Sequence, residues 1–364
     1  MSLSGRRRQT AGAARAAGVE ALLVTHLPDV RWLCGFTGSN AALVLVCAGR
    51  MRAMLFTDGR YTAQAKAEAT GVGVTIAANP ALIAACEWLA ETGVARCGFD
   101  DGNTTVADLN QMRKAVPAKL RRKMFEPVGW LVAKLRWVKY ADEIAKMRAA
   151  AALGCRLFEG ILATMQPGMT EDAVAAEMEF AARLAGAEAM SFPTIVASGE
   201  RSALPHGRAT DAKLPRRGFV TLDFGVVLDG YCSDMTRTVH MGRASATERG
   251  VYDAVLEAQQ AGVAAARAGA VTGDVDEAAR SVLRKAGLAE WFTHSTGHGV
   301  GLEIHEGPRL ATKQTQKLEA GMIVTIEPGV YMPGKFGVRI EDMVLVTAKG
   351  AEILTPCTKA WIEL

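Results

Sequence analysis

A chain of 364 residues is longer than one ordinary hydrophobic core organises, so two domains are expected. Its 49% hydrophobic and 22% charged residues fit neither a disordered nor a membrane composition, and no run reaches the length of a membrane span. A formal net charge of +4, with Lys and Arg spread along the chain, argues against a nucleic-acid-binding face.

At the N-terminus Arg6, Arg7 and Arg8 precede an Ala-rich stretch in the manner of a signal peptide. Glu20 interrupts the apolar segment and no cleavage-like site follows, so the stretch reads as the first helix of a cytoplasmic protein. The seven cysteines are scattered without a CxxC pair, which predicts reduced thiols in place of a disulfide framework or structural zinc. Apolar, β-branched runs at 19–25, 41–47, 51–57, 72–77 and 94–99 alternate with helical stretches and predict an α/β domain. The runs 41–47 and 51–57 are separated by Ala48-Gly49-Arg50, a hairpin signal, so the sheet should be mixed. No nucleotide-binding glycine pattern occurs in this part.

Near residue 131 the texture changes to KLRWVKYADEIAKMRAAAALG, where Asp142 and Glu143 are placed to start a long amphipathic helix toward Met165. The boundary falls close to Lys139, giving an N-terminal domain over 1–135 and a second over 136–364. A helix pair joined at Gln166-Pro167-Gly168-Met169-Thr170 is followed later by one joined near Ala270-Val271-Thr272-Gly273, and strand-rich sequence follows each. This suggests an internal duplication.

In FVTLDFGVVLDGYCSDMTRTVH (219–240), Asp229-Gly230 is a strong hairpin signal. With these two as the loop, Leu228 pairs with Tyr231, Asp223 faces Thr236, and Asp234 lies on the same side two residues away. The two carboxylates become diagonal neighbours roughly 7–8 Å apart, within reach of a shared ion. An Asp on a strand usually faces solvent, but Val220, Leu222, Phe224, Val226 and Val227 leave this strand no polar face, so Asp223 should be buried and need a cation. Glu327 in MIVTIEPGVY and Glu341 in FGVRIEDMVLV likewise interrupt apolar strands. An ion pair between Arg339 and Glu341 is the simpler alternative for those two, but one arginine does not balance four embedded acids. Half of the six histidines fall in HSTGHGVGLEIHE (294–306), where glycines around His298 argue for extended backbone over a helical zinc motif and allow close approach of something bulky or charged.

Together these motifs resemble the metallopeptidases that include prolidase (Xaa-Pro dipeptidase), aminopeptidase P and methionine aminopeptidase. The order Asp, Asp, His, Glu, Glu is met by Asp223 in LDFG, Asp234 in SDMTRT, His298 in GHGVG, Glu327 in EPGVY and Glu341 in RIED. GFTGSN (35–40) and FTDGRY (56–61) resemble the smaller domain that precedes the catalytic one in prolidases and aminopeptidases P. The resemblance implies an α/β N-terminal domain with a mixed sheet, then an α+β pita-bread catalytic domain of the creatinase/aminopeptidase type with pseudo-twofold duplication. It also implies two divalent metal ions, with Asp234 and Glu341 shared, Asp223 completing one shell, and His298 with Glu327 the other. Oxygen-rich ligation with one imidazole suits Mn or Co, with Zn a further option. Such ions would activate water and polarise the scissile carbonyl while Glu327 relays a proton.

By the same resemblance His206 in SALPHG and His305 face the peptide, and His294 helps move protons. Arg339 is placed with them on the substrate side. Arg309 in HEGPRL matches an arginine of the smaller prolidases and would bind the carboxylate of the leaving proline, although a surface arginine is the commoner fate of such a residue. His26 and His240 receive no role. The expected activity is Xaa-Pro dipeptide hydrolysis on a proline-containing peptide substrate, with Xaa-Pro aminopeptidase as the alternative. Metal-free creatinase-like hydrolysis and a non-catalytic binding role are disfavoured by the intact ligand set. A homodimer is implied, with no nucleic-acid or membrane partner.

Overall fold

In the computed structural model, which describes residues 1–364, the Arg-rich N-terminus forms helix α1 (Leu3–Ala16), capped by the Ser2 side chain. Two of the three arginines at positions 6–8 pack into the fold. Arg7 is buried and donates to the Leu33 and Thr70 carbonyls at 2.7 and 3.0 Å, and Arg6 lies over the Trp32 ring. The chain divides into two units, Met1–Arg136 and Trp137–Leu364.

The first unit continues as β1 (Ala21–Val24), α2 (Leu27–Cys34), β2 (Ala42–Val46), β3 (Arg52–Thr57), α3 (Thr62–Glu68) and β4 (Gly73–Ile76). It ends with α4 (Ala81–Glu91), β5 (Cys97–Phe99), α5 (Val106–Ala115), β6 (Phe125–Pro127) and α6 (Leu131–Arg136). One sheet runs in the order β4-β3-β2-β1-β5-β6. It is mixed as expected: β1–β2 and β2–β3 are antiparallel, while β3–β4, β1–β5 and β5–β6 are parallel. All five predicted strands are present. The sixth, β6, has no apolar run of its own and is a strand because it pairs with β5.

The second unit opens with the long helix α7 (Ala141–Thr164), where Glu143 accepts the Tyr140 N–H at 3.1 Å, followed by α8 (Glu171–Leu184). Strands β7 (Ala189–Met190), β8 (Ile195–Ser198), β9 (Gly218–Phe224), β10 (Val226–Leu228), β11 (Tyr231–Cys232) and β12 (Met235–Met241) come next. Helices α9 (Ala246–Ala265) and α10 (Thr272–Lys285) then precede β13 (Gly297–Gly299), β14 (Glu306–Leu310), β15 (Ile323–Ile326), β16 (Gly329–Met332), β17 (Phe336–Arg339), β18 (Asp342–Val346) and β19 (Ala351–Ile353). The site-bearing sheets have the orders β12-β9-β8 and β14-β13-β15-β18-β19. The duplication is visible in detail: isolated bridges Thr170↔Lys213 and Val271↔Lys317 sit at the starts of α8 and α10.

The hairpin register is the one read from the sequence. Leu228 pairs with Tyr231 and Asp223 with Thr236, and Asp229 and Gly230 have φ of 50° and 78°, as a two-residue turn of the I′ kind requires. All seven cysteines are free and buried, and no helix is long and apolar enough to cross a membrane.

Candidate metal centre

Asp223 lies near the end of β9 and Asp234 immediately before β12, so the hairpin register alone puts both carboxylates on one side. Glu341 sits in the short link between β17 and β18. Its N–H donates to the Thr236 carbonyl at 3.1 Å, and its carboxylate accepts the Thr236 hydroxyl at 2.7 Å, which ties the second half of the duplication to the first. Glu327 follows β15, its backbone held by the Thr296 carbonyl at 2.8 Å. His298 is the middle residue of β13, and the Thr325 hydroxyl accepts its N–H at 3.1 Å.

The electrostatics of this group are unbalanced without a cation. The His298 Nδ1 faces the Gly299 carbonyl at 3.0 Å and so carries the proton, which leaves the Nε2 lone pair directed at Asp234 (3.6 Å) and Glu327 (3.5 Å). Burial lowers the His298 pKa to about 4, so the ring does not neutralise its neighbours. Burial and then the adjacent carboxylates push Asp234 and Glu341 well above the usual range, and burial raises Glu327 to about 8. Asp223 Oδ1 and Glu341 Oε1 are buried without a hydrogen-bond partner. Donor atoms of Asp234, His298 and Glu341 all lie within 4.8 Å of one another. Acceptors crowded in this way, with two left unsatisfied, fit divalent metal.

The glycines around His298 have a different cause from the one expected. A Cβ on Gly297 would stand 1.9 Å from the Thr325 carbonyl oxygen, and one on Gly299 2.1 Å from that of Gly307. β13 is squeezed between β14 and β15, so the glycines admit neighbouring strands and not a ligand.

Arg339 does not form the alternative ion pair with Glu341: it binds Asp223 at 2.5 Å, and it also donates to Thr236 Oγ1 (3.0 Å), the Pro205 carbonyl (3.0 Å) and the Tyr331 hydroxyl (2.7 Å). A guanidinium so engaged, with its side chain 4% exposed, has its donors committed to protein partners in place of the substrate contact expected of it. Tyr331, which the sequence reading missed, passes the contact on. Its oxygen accepts from Arg339, so its O–H donates to His294 Nε2 at 2.9 Å, while His294 Nδ1 donates to the Ser295 carbonyl at 2.8 Å. Both ring nitrogens of His294 are committed, to the Ser295 carbonyl and the Tyr331 hydroxyl, and burial lowers its pKa to about 4, so the ring is neutral and holds Tyr331. Thr236 and Thr325 were missed as well. The only sequence signal for Tyr331, Thr236 and Thr325 was position within EPGVY, SDMTRT and VTIE, two to four residues from an expected ligand.

His305 is exposed, and its ring centroid lies 4.5 Å from that of His298. His206 is exposed too and lowers the pKa of both His294 and His305 by its charge, so the three histidines share one locality. Arg309, exposed on β14, stands directly opposite His298 in the strand pairing and therefore on the same face of the sheet.

The description Metallopeptidase family M24 matches residues 145–348, more than half the chain. The chain belongs to metallopeptidase family M24. Its second unit has the pita-bread fold of that family, and residues 6–138 match the Creatinase/Prolidase N-terminal domain. An uncharacterized peptidase of Bacillus subtilis is 39% identical over 95% of this chain and 96% of its own length. Among solved structures, a Xaa-Pro dipeptidase from Bacillus anthracis superposes with a TM-score of 0.95 at 38% identity, covering 100% of both chains. An X-Pro aminopeptidase from Thermotoga maritima does so with a TM-score of 0.88 at 33% identity, covering 97% of this M24 chain and 100% of its own.

Proposed function

We propose that the protein hydrolyses Xaa-Pro dipeptides, using two divalent ions held by Asp223, Asp234, His298, Glu327 and Glu341. The observation that carries this is the unprotonated His298 Nε2 aimed at the buried Asp234 and half-buried Glu327 carboxylates, in a family of metallopeptidases. Asp234 and Glu341 would be shared by both ions, Asp223 would serve one, and His298 with Glu327 the other. We assign manganese, since hard carboxylate oxygens dominate the donor set. Bound there, the ions supply a Lewis acid for the scissile carbonyl and a lowered pKa for the attacking water.

The remaining chemistry falls to side chains. Glu327, half-buried among the acids, takes the proton released by the attacking water and returns it to the leaving nitrogen. Arg339 holds Asp223 in place by charge and is itself braced by Tyr331 and His294. His206 and His305, on the exposed side, bind the peptide and the developing oxyanion. Arg309 receives the free carboxylate of the leaving proline through paired N–H donors.

Aminopeptidase action on longer peptides is the second reading, favoured by the likeness to the Thermotoga enzyme. The position of Arg309 opposite His298 supports the dipeptidase. A panel of Xaa-Pro dipeptides and Xaa-Pro tripeptides, assayed with Mn added back, decides between them: faster tripeptide turnover would make the enzyme an aminopeptidase, and no metal-dependent turnover of either would end both readings. We also place the protein in the cytoplasm, which suits its free thiols, as a homodimer. Sedimentation at the mass of one 38.6 kDa chain would reject the dimer.

A further inference from the structure

Away from the ligand cluster, the second helix of each helix pair carries one fully buried acid: Glu171 on α8, 0% exposed, and Asp276 on α10, 1% exposed. One oxygen of Glu171 accepts the Ser198 N–H at 2.8 Å and the Ser198 hydroxyl at 2.9 Å. The other accepts Arg201 Nε at 3.0 Å and the Thr210 hydroxyl at 2.9 Å. Asp276 repeats this pattern of donors. One of its oxygens accepts the Thr296 N–H at 3.1 Å and the Thr296 hydroxyl at 2.8 Å, and the other accepts Arg280 Nε at 2.7 Å and the Thr312 hydroxyl at 3.1 Å.

Each arginine then directs a further N–H into the loop its acid holds or the segment leading to it. Arg201 donates to the Arg208 carbonyl at 2.7 Å, and Arg280 to the Phe292 carbonyl at 3.1 Å and to that of His294. The parts differ between the halves: Glu against Asp, Ser against Thr, and an arginine from the loop against one from the helix. What the halves share is the cargo. The segment from Ser198 to Thr210 contains His206, and the segment from Thr296 to Thr312 contains His298, His305 and Arg309.

We propose that Glu171 and Asp276 are a duplicated pair of positioning residues, each tying both ends of one histidine-bearing segment to a rigid helix. Glu171 sets His206, and Asp276 sets His298, His305 and Arg309. A buried carboxylate is costly unless its lone pairs are filled, and here four donors fill each one with charge-assisted bonds, so a loose loop end would leave a buried charge short of partners. That penalty is what confines a segment that is otherwise turn and short strand. The catalytic consequence rests on the function proposed above; the structural one does not.

Glu171→Gln and Asp276→Asn keep shape while replacing an acceptor oxygen with a donor amide. In the metal-free full chain, amide hydrogen exchange over 199–210 should quicken about tenfold in Glu171→Gln with 296–312 unchanged, and the reverse in Asp276→Asn. With Mn and a Xaa-Pro dipeptide, each variant should lose roughly 10- to 100-fold in kcat/KM. The loss from Glu171→Gln should vanish in a His206→Ala background but persist in full in His305→Ala, whereas that from Asp276→Asn should persist in full in His206→Ala and shrink without vanishing in His305→Ala, since His298 and Arg309 stay displaced. Thr210→Val and Thr312→Val, each removing one donor, carry the same comparison where the acid variants do not fold. Both segments loosening alike in either variant, or losses that add in full with the segment's own histidine, would overturn the proposal. A wild-type protein without Xaa-Pro hydrolysis would sink the proposed function alone, with the exchange data still judging the two clamps.

Discussion

Removing the metal should make stability fall as pH rises from about 6.5 to 8. Glu327 has its pKa raised from 4.5 to about 8 in the folded metal-free chain, and Asp234 and Glu341 move the same way. Above their unfolded values these acids still hold protons when folded but not when unfolded, so stability present at low pH is lost as pH climbs through the folded values. Three histidines oppose this below pH 6.5. His294 and His298 are lowered to about 4 and His305 is lowered too, so the unfolded chain binds protons there that the folded chain does not, and stability rises with pH until the unfolded histidines are neutral. Above about pH 6.5 the histidines no longer oppose the acids, and the one counter-slope comes from Cys155, lowered to about 7 by its hydrogen bond with Cys357, which offsets about one of the retained protons toward pH 8. Over that window one retained proton is worth about 1.4 kcal/mol per pH unit, or about 2 kcal/mol by pH 8. For a unit of this size that corresponds to a fall of about 4–8 °C in Tm for each proton retained. Manganese holds the acids deprotonated, so its stabilising increment should grow over the same range. Scanning calorimetry of chelated and Mn-loaded protein at pH 6.5, 7.25 and 8 measures both slopes, and Glu327→Gln should make the chelated one shallower by the share of one proton. A chelated Tm that stays level or rises with pH would refute the placement of buried, mutually repelling acids at this site.

Asp234→Ala and Glu341→Ala should each abolish turnover, and plasma emission analysis should find both ions depleted, since each carboxylate is proposed to be shared; one ion retained at full occupancy would contradict the sharing. Glu327→Gln should melt within a few degrees of wild type in the presence of Mn yet lose about 10²- to 10⁴-fold in kcat, and wild-type turnover would assign the proton transfer to another group. Arg309→Ala should raise KM for Xaa-Pro dipeptides by about tenfold or more while leaving a C-terminally amidated analogue unchanged, as expected when a charge-assisted carboxylate contact is lost; equal effects on both substrates would remove Arg309 from the site.

The hairpin that brings Asp223 and Asp234 together was legible in the sequence because its causes are local. Asp229-Gly230 tolerates the positive φ of a tight turn, and a side-chain period of two then carries the register outward to Asp223 and Thr236. The embedded acids stood out for a similar reason, as charges in apolar runs with no polar face to occupy. Other features depend on which distant strands become neighbours. β6 is a strand only through β5, and the glycines flanking His298 exist for the close passage of β14 and β15. The partner of Arg339 was decided the same way. Two-residue spacing suggested Glu341, but β17 ends at Arg339 and β18 begins at Asp342 in another sheet, so Glu341 lies in the link between them while the guanidinium reaches Asp223 on β9 and the Tyr331 hydroxyl on the adjoining β16. A charge in an apolar run announces that it needs compensation, and sequence shows that much; which group supplies it is settled by Coulombic and hydrogen-bond distances of about 3 Å between segments a hundred residues apart, and these exist only once the sheets have packed.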